Sequence, residues 1–91
     1  MKKYYAHYYQ HFANTFDLIS VKSKAEEKSL LEYFSRNDSL EAHVERVSLK
    51  DARNMIKNER LRRRFNPDFS GYASMEIIPW EEYLREEREF A

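Results

Sequence analysis

The stretch Lys3-Tyr4-Tyr5-Ala6-His7-Tyr8-Tyr9-Gln10-His11-Phe12, followed by Ala13-Asn14-Thr15 and then Phe16-Asp17-Leu18-Ile19-Ser20-Val21, decides the fold. Aromatic density of this kind favours strand over helix. Successive side chains of a strand alternate between faces. Tyr4, Ala6 and Tyr8 therefore share one face with Phe12, and Tyr5, His7, Tyr9 and His11 share the other. Asn14 tolerates left-handed backbone, so Ala13-Asn14-Thr15 reads as a turn. The two strands, 3–12 and 16–21, form an antiparallel hairpin. Phe16 and Leu18 point one way; Asp17, Ile19 and Val21 point the other.

Outward from the hairpin, Ser23-Lys24-Ala25-Glu26 is a capping box, with serine capping an amide and glutamate reaching back. A helix follows to about Ser35, burying Leu30, Leu31 and Phe34 with Glu27 in register. Arg36-Asn37-Asp38-Ser39 is a polar break. Leu40 to Val47 reads as a third strand, with Leu40, Ala42 and Val44 opposite His43, Glu45 and Val47. Ser48-Leu49-Lys50-Asp51 repeats the capping logic and opens a second helix to about Phe65, with Leu49, Ala52, Met55 and Ile56 as its apolar stripe. Asn66-Pro67 stops it, because the residue before proline avoids helical geometry. A loop Asp68–Tyr72 leads to a short fourth strand, 73–78. Pro79 suits the start of a third helix edged by Trp80, Tyr83 and Leu84. The order β-β-α-β-α-β-α predicts an α+β fold: one domain over 1–91, a mixed sheet, and helices packed mainly on one face.

Ninety-one residues suit one core rather than two. Cysteine is absent, which removes disulfides, thiolate metal sites and a cysteine nucleophile. Gly71 is the single glycine, which excludes the Gly-rich loops of nucleotide sites. No continuous apolar stretch follows Met1-Lys2-Lys3, and no run approaches a membrane span of ~20 residues. A cytoplasmic protein without a membrane partner is expected.

Sixteen basic and 16 acidic residues cancel, which weakens attraction to nucleic acid or anionic lipid. The charges are segregated, however. Lys57, Arg60, Arg62, Arg63 and Arg64 stand against Glu59 alone, and residues 76–91 are strongly acidic. The plain reading is a helix end matched to its dipole and screened by an acidic tail lying beside it. The functional reading is a grip on phosphates or on an acidic partner.

His7 and His11, four apart, would face one side of a strand. A metal would need a third ligand such as His43, Asp17 or Glu45, and the spacing fixes none of them. No metal or other cofactor is expected. Neither a nucleophile–base pair nor convergent carboxylates are visible, so the expectation is a non-enzymatic protein. Tyrosine is common in binding hot spots. The leading expectation is a protein-interaction module of adaptor or inhibitor type, such as the accessory proteins of bacteria, phage or mobile elements. Its binding residues would be Tyr5, His7, Tyr9 and His11 for the aromatic face and Arg60, Arg62, Arg63 and Arg64 for steering. A homodimer through an exposed first strand is its simplest version. The alternative is a nucleic-acid-binding module stacking bases on the tyrosines and holding phosphates with the arginines.

Overall fold

A computed structural model of the chain describes residues 2–9, 16–37, 42–65 and 76–90. The elements are β1 (Lys3–Tyr9), β2 (Phe16–Val21), α1 (Lys24–Asn37), β3 (Ala42–Val47), α2 (Leu49–Phe65), β4 (Ile77–Pro79) and α3 (Trp80–Phe90). The class and the order agree with the sequence reading. His11, the turn at 13–15, the stop at 66–67, the loop at 68–72 and the start of the expected fourth strand lie outside the described residues.

One four-stranded sheet runs β3-β1-β2-β4. The hairpin is antiparallel, with Tyr5 opposite Ile19 and His7 opposite Asp17. β1 also pairs antiparallel with β3, setting His7 opposite Val44 and Tyr8 opposite His43. β4 joins β2 in parallel, Ile19 facing Ile78. β1 is thus flanked on both sides. The expectation that it is an exposed edge open to a second copy fails, because β3 occupies the edge it would have offered.

Two of the three helices, α1 and α3, lie on one face, and α2 covers the other. Tyr5, Ile19 and Val21 pack with Leu30 and Phe34 of α1 and Trp80 and Tyr83 of α3. Ala6, Phe16 and Leu18 pack with Ala52 of α2, joined by Met55, Ile56 and Ile77. Every residue of β2 is buried, as a strand between two helical layers requires. Leu31, expected in the stripe of α1, is instead 43% exposed; the buried positions of that helix are Leu30 and Phe34.

The helix starts follow the capping signals. Ser23 Oγ accepts the amide of Glu26 at 3.1 Å. The Glu26 carboxylate accepts the amide of Lys22, one residue ahead of the cap, at 2.9 Å. At α2, Ser48 Oγ accepts the amide of Asp51 at 3.0 Å. α3 is fastened by Trp80, whose indole N–H donates to Ser29 Oγ of α1 at 3.1 Å. No helix among the described residues is long and apolar enough to cross a membrane.

Candidate functional site

Two of the expected binding residues in the tyrosine-rich strand are buried rather than displayed. Tyr5 and His7 are each only 6% exposed. His7 stacks on Phe34 with ring centroids 4.2 Å apart. The Tyr5 hydroxyl donates to Glu27 of α1 at 2.6 Å, and Lys3 Nζ lies 3.2 Å from the same carboxylate. Burial and the bond to Glu27 push the Tyr5 phenol up to about 12. The same phenol, then Lys3, hold Glu27 below the usual carboxylate range. This polar cluster ties β1 to α1. α1 covers the side chains of Tyr5 and His7, so neither stands on an exposed aromatic face in this structure. Tyr9 closes β1 opposite Ala42, and His11 lies outside the described residues.

Of the histidine pair, His7 is described and His11 is not. His43 and Glu45 project to the sheet face opposite His7, by the alternation of paired strands. Asp17 does share the face of His7 and is its cross-strand neighbour. Among the described residues no group of three histidine, aspartate or glutamate side chains converges.

The arginines divide by helical phase. Ala52 and Glu59 are the buried residues of α2, and Met55 and Ile56 lie partly buried between them. Glu59 is 2% exposed, a carboxylate on the covered side of its helix. Arg62 reaches it at 3.5 Å and Arg63 at 3.3 Å. These two cations, expected to steer partners, are engaged by their own helix. A buried carboxylate without them would be costly.

Arg60 and Arg64 fall in another phase, together with Arg53 and Lys57. Positions 53, 57, 60 and 64 follow the i, i+4, i+7, i+11 rule of one helical face. With Ile56 and Leu61 they line an open groove of about 450 Å³. Leu61 is 43% and Phe65, at the end of the helix, 75% exposed. Arg53, Lys57, Arg60 and Arg64 are exposed and make no ion pair with a described residue. Reading Lys57 and the arginines as one contiguous block passes over Arg53, which lines the same groove. The helical spacing from Arg53 to Arg64 is the signal that finds it, and the phase of Ala52, Met55 and Glu59 turns Glu59 inward.

Among the described residues, the acidic helix α3 does not screen this stripe. α3 packs on Ile19, Val21 and Phe34, whereas α2 packs on Ala6, Phe16 and Leu18, across the sheet. Glu81 pairs at 3.6 Å with Lys22, beside the cap of α1. The sheet thus holds the two charge blocks apart, and the stripe on α2 faces outward.

The site is an exposed cationic face with apolar members. No protein-family model matches the chain, and no curated protein or solved structure matches it.

Proposed function

We propose that the protein is a non-enzymatic interaction module that docks on an acidic protein surface through the outer face of α2. One observation carries this reading: Arg53, Lys57, Arg60 and Arg64 stand on one exposed face, without ion pairs among the described residues, beside exposed Leu61 and Phe65. Arginine with aromatic and aliphatic anchors is the composition of protein interfaces. The four positive charges speed encounter with an acidic partner, and the apolar groups supply burial once docked.

A phosphate backbone fits this face less well. Two of the five cations at the end of the helix are engaged by Glu59. Phosphates are favoured at helix N-termini, whereas these arginines crowd a C-terminus whose carbonyls repel anions. The formal net charge is zero.

The test titrates three labelled probes at low and moderate salt: an acidic helical peptide carrying leucine and phenylalanine, a polyglutamate peptide, and a mixed-sequence single-stranded oligonucleotide. The apolar-bearing acidic peptide should bind tightest. Arg60→Glu with Arg64→Glu should weaken it at least tenfold, about 1.4 kcal/mol, and Phe65→Ser should weaken it with little change in salt dependence. Oligonucleotide binding that outruns both peptides would replace this reading with the nucleic-acid one. No binding of any probe would refute both.

A further inference from the structure

We propose that β3 is a self-pairing edge, through which two copies of this chain join their sheets antiparallel about a two-fold axis at Val44. The proposal is independent of the face of α2.

Among the described residues the sheet has two edges, β3 and β4. β4 is three residues long and ends in Pro79, which has no N–H to give. β3 runs for six residues, and among the described residues it bonds to β1 alone. Its other side carries backbone donors and acceptors that another strand can take. Charged side chains normally blunt such an edge, and His43, Glu45 and Arg46 stand there exposed.

Against a second copy of itself the same charges fit. A two-fold axis perpendicular to the sheet keeps like faces together and sets each residue i opposite a residue j with a constant sum. Centred on Glu45, the register would oppose two carboxylates. Centred on His43, it would oppose two imidazoles. Centred on Val44, it sets Val44 against Val44, each Glu45 against the other copy's His43, and Arg46 against Ala42. No like charges meet, an imidazole N–H can donate to the facing carboxylate, and hydrogen-bonded and aliphatic cross-strand pairs stabilise antiparallel sheets. His43 is already held for this role: its ring stacks on Tyr8 at 4.9 Å, and Tyr8 hydroxyl donates to Glu45 at 3.2 Å. The charges that repel foreign strands therefore select the chain's own.

Sedimentation equilibrium of the full chain should give twice the 11.1 kDa protomer mass at high concentration. Glu45→Lys, which sets lysine against the partner's His43, should raise the dissociation constant at least tenfold. The swap His43→Glu with Glu45→Lys should restore dimerisation, which simple misfolding would not do. The chain has no cysteine, so Val44→Cys gives a unique thiol. Facing antiparallel residues lie about 4.5–5.5 Å apart at Cα, within disulfide reach. Mild oxidation should link Val44→Cys into a covalent dimer, while Ser35→Cys on α1 stays monomeric. A monomer at every concentration overturns the proposal. So does a dimer that neither responds to Glu45→Lys nor cross-links at position 44.

Discussion

A carboxylate kept from water needs cations in reach, and Glu59 has two, Arg63 at 3.3 Å and Arg62 at 3.5 Å. Arg62→Ala with Arg63→Ala should lower stability by about 2–3 kcal/mol, below the cost at a fully buried pair because both guanidinium groups stay partly in water. Arg60→Ala with Arg64→Ala, on the exposed phase, should stay within about 0.5 kcal/mol. Urea unfolding separates the two; equal losses would mean the helical phase does not decide the roles of the arginines. The Tyr5–Glu27 bond makes a second prediction, at both ends of the pH scale. The Tyr5 phenol is raised from 10.0 to about 12 by burial and by Glu27. A raised phenol stabilises the fold below its unfolded value, and that contribution is lost as pH climbs from 10 to about 12. Glu27 is lowered by Tyr5 and Lys3. Its contribution is present above the unfolded value of 4.5 and is lost as pH falls through the lower folded value. Thermal midpoints against pH should show both limbs. Tyr5→Phe should shrink both limbs, leaving at the alkaline end the part that belongs to Tyr8, whose phenol is raised by burial and by Glu45; an unchanged alkaline limb would place the titration on another group.

At the scale of elements, the short-range signals were legible and the long-range ones were not. Ser23 and Ser48 announced helix starts because a cap acts over three residues, and both hydroxyls accept the expected amides. Ser23→Ala and Ser48→Ala should each cost about 1 kcal/mol. The loss is read in denaturant midpoints at constant slope, and a loss near zero for Ser48 would show that α2 is held by packing alone. Strand neighbours depend on how the chain returns after each helix, which no local spacing encodes. Even so, β1 carried a hint of its central place. Tyr5 and Ala6 are adjacent, point to opposite faces and are both buried, and a strand apolar on both faces belongs inside a sheet covered on both sides. Aromatic density by itself points to display instead. The candidate site was half legible for a related reason: composition located the arginines of α2, but only helical phase separates Arg60 and Arg64 from the pair that holds Glu59.

For the whole molecule, the central question is whether two cores on opposite sides of one sheet behave as one. Tyr5 belongs to the core under α1 and α3, and its neighbour Ala6 to the core under α2. Strain or loss on one side must therefore pass through the backbone of β1 and β2 to the other. Trp80 is the place to test this. It is buried, stacks with Tyr83 at 5.7 Å, meets Tyr33 edge-on at 5.6 Å and bonds Ser29, so it joins α3 to α1 over the sheet. Trp80→Ala should cost about 3–5 kcal/mol, a large part of the roughly 5–15 kcal/mol that holds a domain together. If the sheet couples the cores, amide exchange at Leu30, on the mutated side, and at Ala52, across the sheet, should accelerate by the same factor. Far-UV circular dichroism and tyrosine fluorescence should then report one shared unfolding midpoint. Faster exchange at Leu30 with Ala52 unchanged would mean that α2 and its strand face persist without the opposite layer. The cationic stripe would in that case rest on a sub-structure of its own, and Trp80→Ala would leave partner binding through Arg60 and Arg64 intact. Coupled cores predict that the same substitution weakens binding in proportion to the fraction unfolded, and by no more than that.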